Sequence, residues 1–256
     1  MNFRFPIGAH LLNRLSSCLS INRYKFYQSS ILILTFLCYF SFHASRRPLS
    51  IVKSILNQNC SKLNTPDHLQ ANSSYELQAN DSNGSFDHWC DWKPFDGADA
   101  KSLLSLLDLA FLITYAFFMF VSGYLAERCN LRYFLGFGMI LTGLFSYLFG
   151  LAHSYEIHSL YYFIVIQICS GILNTTGWPT VVALVGNWFG KSKRGLIFGI
   201  WNSHTSLGNI AGAAIAGYYV ESNWGYSFFV PGFIMIGVGV IMLIFLVPRK
   251  QKFAEW

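Results

Sequence analysis

Charge is what this sequence has least of. Aspartate, glutamate, lysine and arginine together make up 12% of its 256 residues, about half the share found in an ordinary soluble domain. So few charges cannot cover the surface of a water-soluble protein of this length, which excludes a soluble globular reading. The motifs of hydrolytic and group-transfer chemistry are missing as well. The chain has no phosphate-cradling glycine loop with its lysine, no HExxH, no paired-cysteine zinc spacing and no nucleophile elbow. An enzyme reading therefore has no motif behind it, and neither a metal nor a cofactor is expected. No aqueous stretch is long enough to present a basic face, so nucleic acid is not an expected partner either. The net charge of +6 has to be explained another way.

What the sequence does contain is apolar length. Hydrophobic residues make up 53% and aromatic residues 18%, and the mean hydropathy is +0.39. This is the composition of a multi-pass membrane protein. Crossing a hydrocarbon core of about 30 Å takes about 20 helical residues. Six segments qualify, near residues 28 to 52, 103 to 126, 132 to 152, 159 to 187, 194 to 220 and 227 to 247. Helix is the required form, because unpaired peptide groups are costly in lipid and the period-two alternation of barrel strands is absent. The first 27 residues lack a compact apolar run before a small-residue cleavage site, so the first segment reads as an uncleaved signal anchor. The organisation read from the sequence is a segment 1–27, a helical body 28–248 with a long polar loop at 57–101, and a tail 249–256.

Basic residues fall on one side of this arrangement. Arg4, Arg14, Arg23 and Lys25, then Arg128 and Arg132, then Lys191, Lys193 and Arg194, then Arg249, Lys250 and Lys252 share one face, while the opposite connections "HSYEIHS" and "ESNWG" carry no Lys or Arg. By the positive-inside rule both termini are cytosolic. Independent chemistry supports the same topology: the 57–101 loop holds four N-x-S sites, at Asn59, Asn72, Asn80 and Asn83, whose glycosylation requires the lumenal or extracellular side. A fifth sequon at Asn174 lies inside the fourth segment, where modification is not expected. Cys60 and Cys90 flank the sequon cluster on the oxidising side. They either close a disulfide or remain two free thiols.

Within the first segment, the uncharged run Ser29 to Ala44 spans only about 24 Å as helix, too short to cross. If the helix continues through "SRRPLSIVKSIL", Arg46 lies inside the membrane, and neighbouring helices must absorb the kink at Pro48. Alternatively Arg46 and Arg47 snorkel to the interface and end the helix. An arginine at depth would face a water-filled cavity and suit an anion, because its planar fork binds phosphate oxygens in pairs. Asp108, in the second segment, reads as an interior partner for arginine or as a helix-end acid, in preference to a proton-coupling group. Gly195 with Gly199, and Gly208 with Gly212, have the four-residue spacing of close helix contacts.

Two stretches carry a resemblance. "GYLAERCNLRYF" resembles the cytosolic loop motif of the major facilitator superfamily, with Gly123, Glu127, Arg128 and Arg132 in the matching places. It departs from that motif in having glutamate for aspartate and Asn130 for glycine, a position where asparagine can accept a positive φ. The resemblance implies a charge-dipole latch that biases open and closed states; a plain solvated turn is the other reading. "GWPTVVALVGNWFGKSKRGLIFGIWNSHTSLGN", residues 177 to 209, resembles the signature region of the organophosphate:phosphate antiporters through Gly177-Trp178-Pro179, Trp188, Arg194-Gly195 and Trp201-Asn202. Together with "SRRPLS" and the first loop, the chain is most similar, over residues 23 to 248, to the animal sugar phosphate exchangers of the endoplasmic reticulum.

This implies an all-α membrane protein, the six-transmembrane-helix N-terminal half of a major facilitator superfamily fold, in the endoplasmic reticulum membrane. Its implied activity is exchange of a sugar phosphate for inorganic phosphate by alternating access. The partners implied are the two phosphates, the lipid bilayer and a second six-helix half that supplies a second arginine. Arg46, Arg47, Trp201 and Asn202 then border the substrate. Bacterial members carry a histidine where this chain has Thr205, with His204 one place earlier, about 100° around a helix. His204 is either a phosphate contact or a packing residue, and Thr205 can donate in its place. A different class of function also stays open, a non-transporting membrane half that binds or regulates a partner half.

Overall fold

The computed structural model describes residues 8, 22–56, 92, 94–95, 99–189, 194–220 and 222–248. These form eight helices in succession: α1 (Arg23–Leu56), α2 (Ala100–Arg128), α3 (Leu131–Ser154), α4 (Leu160–Asn174), α5 (Gly177–Trp188), α6 (Arg194–Trp201), α7 (Ser203–Tyr219) and α8 (Tyr226–Phe245). Among the described residues there is no strand. Among the described residues, five stretches are long and apolar enough to cross a membrane: Tyr24–Leu56, Ala100–Arg128, Leu131–Ser154, Leu160–Trp188 and Tyr226–Phe245. The remaining segment expected from the sequence, 194–220, is α6 followed by α7, with a hitch at Asn202. The Asn202 N–H still bonds back to the Phe198 carbonyl at 2.9 Å, so the two pieces run on from each other.

The breaks follow local chemistry. Between α4 and α5 the N–H groups of Thr175 and Thr176 make tight bonds to the carbonyls three residues back, both 3.2 Å. Pro179 then has no N–H for the Thr175 carbonyl, four residues behind it. The hydroxyl of Ser122 on α2 donates to that carbonyl at 2.8 Å and takes the missing partner's place. At the α2–α3 turn the structure corrects the expected use of Asn130. Its φ is −72°, not positive, and its side chain caps α3 by accepting the Arg132 N–H at 3.2 Å. An N-cap needs extended backbone and a short acceptor, both of which asparagine supplies. α3 ends in a Schellman turn, with Ile157 N–H on the Ala152 carbonyl at 2.9 Å and Glu156 in the left-handed region at φ 49°.

Three helix pairs carry most of the packing: α1 with α7, α2 with α4, and α3 with α8. Exchanging the first three spans with the last three maps this pairing onto itself, which is the signature of a 3+3 inverted repeat. α1 and α2 hardly touch along their backbones, so a cleft separates the α1–α7 pair from the α2–α4 pair. The buried apolar side chains form two clusters. One contains Tyr27, Phe42, Leu135, Leu184, Trp188 and Val247, and the other Leu56, Leu107, Phe149, Phe163 and Trp224. The first gathers near the start of α1 and the ends of α5 and α8, the second at the first-loop end of the bundle. Between them lies a polar layer. Large apolar residues such as Ile113, Phe117 and Phe120 on α2 face outward, as they must where the solvent is lipid.

Glycines set the pair distances. A Cβ on Gly208 would lie 2.6 Å from the Phe40 carbonyl oxygen of α1, and one on Gly212 would overlap the Ala44 carbonyl, the group that Pro48 leaves without its helical donor. Gly195 and Gly199 behave differently from their spacing: a Cβ on either would meet nothing within 4 Å. The close seam lies elsewhere, in α3 and α8, where Gly136, Gly143 and Gly150 face Gly239, Gly232 and Gly225.

Candidate functional site

α1 continues unbroken through Pro48. Of the two readings of the double arginine, the structure therefore shows the one in which the helix carries Arg46 into the bundle. It sits ten residues, about 15 Å, from the end of α1. The Arg46 Nε donates to Asn174 Oδ1 at 3.0 Å, and the guanidinium lies over the rings of Tyr115 at 4.8 Å and Phe111 at 5.6 Å. Asn174 is fixed in turn, because its Nδ2 donates to the Ser170 carbonyl at 3.0 Å. No carboxylate pairs with Arg46, and its two terminal nitrogens have no hydrogen-bond partner among the described residues. They adjoin a cavity of about 80 Å³ whose polar lining includes Thr142, Ser146, Gln167, Ser170 and Asn174. A guanidinium with one edge fixed and the other free is prepared for a bidentate anion. Arg47, one step around the helix, is exposed and outside this group.

One turn of α1 earlier lies a second group. Trp201 is 2% exposed and its Nε1 donates to Thr35 Oγ1 at 3.2 Å, so its indole is a core strut and not a cavity wall. His204 is 1% exposed, packed edge-on to Trp201 at 4.1 Å between ring centroids and against Tyr39 at 5.0 Å. Thr205 is half-buried. Its hydroxyl lies 3.3 Å from His204 Nδ1 and 3.5 Å from Nε2 of His43, and reaches Asn202 Oδ1 at 3.4 Å. His43 and His204 stack at 5.5 Å with a 24° interplanar angle. Asn202 is exposed. The structure thus brings Arg46, His204 and Thr205 to one side of α1, with Trp201 behind them.

The sequence reading missed Asn174, Tyr115 and His43. His43 had a signal available, since it precedes Arg46 by three residues and so shares its helix face. Asn174 was noted only as an implausible sequon, although an amide in the middle of an apolar span is itself a mark of an interior site. Asp108 does have a partner, but it is Lys53 and not arginine, and the pair is partly exposed. This is the only ion pair among the described residues.

The loop motif is present in form. Glu127 is exposed, Arg128 lies over the Tyr124 ring at 4.2 Å, and a Cβ on Gly123 would meet nothing within 4 Å. Arg132 is buried against Tyr133, bonded through Nη2 to its hydroxyl, with Nε and Nη1 lacking partners. The motif residues make no ion pair with one another among the described residues. The sequons at Asn59, Asn72, Asn80 and Asn83 and the cysteines Cys60 and Cys90 lie outside the described residues. No group of His, Cys, Asp and Glu among the described residues is arranged to hold a metal ion.

An all-α membrane bundle with inverted pairing and a cation lining an interior polar cavity has the architecture of half a secondary transporter. Residues 35–255 match the Major Facilitator Superfamily, and the chain belongs to that family. Among curated relatives it is 53% identical over 232 residues to the human glucose-6-phosphate exchanger SLC37A2, covering 91% of this chain and 44% of that one. The zebrafish (Danio rerio) SLC37A2 is 52% identical over the same length and shares. Identity to the human glucose-6-phosphate exchanger SLC37A1 is 44% over 255 residues, 97% of this chain and 46% of the relative. The chain thus spans less than half the length of the relatives it matches. Each of these relatives is named as an exchanger and none as an enzyme.

Proposed function

We propose that this chain forms the N-terminal half of an antiporter that exchanges a sugar phosphate of the glucose-6-phosphate kind for inorganic phosphate, with Arg46 as its phosphate ligand. The observation that carries this reading is the state of the Arg46 guanidinium. It lines a polar cavity ten residues inside the end of α1, with Nε held by Asn174 and its outer edge unpaired among the described residues. A cation kept there without a carboxylate is costly unless an anion visits it. The names of the relatives agree with a phosphate ester as that anion.

Thr205, whose hydroxyl lies 3.5 Å from Nε2 of His43 three residues before Arg46 on α1, suits together with that ring the remaining phosphoryl oxygens or the sugar hydroxyls. Asn202 is exposed beside them, while Trp201 and His204 pack behind them as core. Alternating access requires a second six-helix half to close the cleft and contribute a facing cation. Gly123, Glu127, Arg128 and Arg132 would form the latch between helix ends on the cytosolic side. The one-sided basic residues support cytosolic termini, with the four sequons and the cysteines Cys60 and Cys90 of the first loop on the lumenal side of the endoplasmic reticulum membrane.

The test is counterflow of labelled phosphate in proteoliposomes that hold this half together with its complementary half. Arg46→Lys keeps the charge but loses the fork, and exchange should fall at least about tenfold with insertion intact. Exchange near the wild-type rate would remove Arg46 from the site.

A further inference from the structure

α1 and α2 are joined across their cleft by side chains alone. Besides the apolar cluster that holds Leu56 and Leu107, two polar bridges join them: Arg46 over Phe111 and Tyr115, and the ion pair of Lys53 with Asp108. Lys53 follows Arg46 by seven residues, so it lies on the same face of α1 about 10.5 Å nearer the first-loop end. Asp108 also lines the cavity beside Arg46. Two cations therefore stand in line on one face of α1, the deeper in the cavity without an ion-pair partner and the outer paired with Asp108, which lines that cavity.

The cover is loose. The Asp108 side chain is 51% exposed and the Lys53 side chain 20% exposed, and Asp108 accepts no other hydrogen bond among the described residues. A partly exposed single pair of this kind is weakly held. An ammonium with three donors can exchange one carboxylate for a phosphoryl group with three acceptor oxygens and, at neutral pH, up to two charges. A singly charged small anion offers no such advantage over the carboxylate already in place.

We propose that Lys53 is an entry subsite for the phosphoryl group on the first-loop side, screened by Asp108 until a doubly charged anion displaces it, and that the anion then moves two turns along α1 to Arg46. The proposal rests on the phosphate reading of Arg46. It adds a residue that sets both the order of contacts and a preference for dianions, with Asp108 acting through Lys53 as a positioning residue.

The test is equilibrium binding of labelled inorganic phosphate to the 256-residue chain in lipid nanodiscs. Asp108→Asn should lower the binding midpoint about three- to tenfold, Lys53→Gln should raise it by a similar factor, and the double variant should match Lys53→Gln. Chloride competition should weaken wild-type binding less than Asp108→Asn binding. An unchanged or raised midpoint in Asp108→Asn overturns the proposal. So does a double variant that keeps the gain, which would place the effect of Asp108 on Arg46 directly. Absence of phosphate binding by wild type and Asp108→Asn alike overturns it too. Should Lys53→Gln fail to insert, Lys53→Arg tests the same point, with binding retained and the response to Asp108→Asn preserved. Arg46→Lys in the same assay reports separately on the deeper site: wild-type affinity there removes Arg46, while the contrast between the Lys53 and Asp108 variants still decides the entry subsite.

Discussion

Gly143 of α3 and Gly232 of α8 meet backbone to backbone. A Cβ on Gly143 would lie 2.6 Å from the Gly232 carbonyl oxygen, and one on Gly232 would lie 2.9 Å from that of Gly143. The same reciprocal contact recurs seven residues away in both directions, at Gly136 with Gly239 and at Gly150 with Gly225. A seven-residue period on both antiparallel helices keeps one narrow seam in register over the whole crossing. The seam belongs to the spans that the inverted repeat pairs with each other, so it acts as the spine of the bundle.

Gly143→Ala should therefore overpack the spine against peptide carbonyls, which cannot rotate aside. The expected loss is about 1–3 kcal/mol, read as a lower midpoint of thermal unfolding in detergent. Gly237→Ala, on α8 where a Cβ would meet nothing within 4 Å, is the matched control and should be neutral or slightly stabilising. Equal effects of the two substitutions would mean that the seam contributes nothing.

How much of this was legible in the sequence depends on what lipid leaves visible. The spans could be read because crossing demands length, but the shortness of Ser29 to Ala44 left two positions open for Arg46, and only the unbroken α1 decides between them. Which face of each span points inward could not be read from hydrophobicity, since Phe120 against lipid and Phe163 against protein are equally apolar. Spacing misled for Gly195 and Gly199 for the same reason: small residues four apart mark a close contact only if another helix arrives there. The Ser122 hydroxyl on the Thr175 carbonyl, and Lys53 on Asp108, join spans more than fifty residues apart in sequence. Nothing local announces such partners.

Asn174 is predicted to act by holding Arg46. Asn174→Leu removes the acceptor at Nε and should raise the phosphate-binding midpoint several-fold, because the guanidinium must then be ordered by the ligand. Asn174→Asp should be worse, since a carboxylate beside Arg46 would neutralise the cation that phosphate needs. Phosphate titration of the two variants in nanodiscs gives their order. Tighter binding in Asn174→Asp than in Asn174→Leu would contradict the anion role of Arg46.

The topology predicts modification on one loop only. In animal cells, replacing Asn59, Asn72, Asn80 and Asn83 together by glutamine should collapse the protein to the mobility of the glycosidase-treated form, while Asn174→Gln should leave mobility unchanged. Asn174 has its amide bonded to Ser170 and to Arg46 inside the bundle, beyond reach of the transferase. Unchanged mobility of the fourfold variant would place the first loop on the other side of the membrane.

His204 and Thr205 are adjacent in sequence but differ in burial, so their substitution should separate stability from binding. His204 is enclosed by Phe36, Tyr39 and Trp201, and His204→Ala leaves a hole in that wall. The loss should be roughly 2–4 kcal/mol of stability, with the phosphate midpoint of the folded fraction little changed. Thr205→Val keeps the shape and removes the hydroxyl that links His43, His204 and Asn202. Stability should then change by about 1 kcal/mol or less, while phosphate affinity falls several-fold, because the hydroxyl assigned to the anion and its contact with Nε2 of His43 are both lost. Thermal unfolding and phosphate titration on the same samples read both quantities. A midpoint that moves with His204→Ala and not with Thr205→Val would turn the assignment around: the imidazole, and not the hydroxyl, would then face the anion.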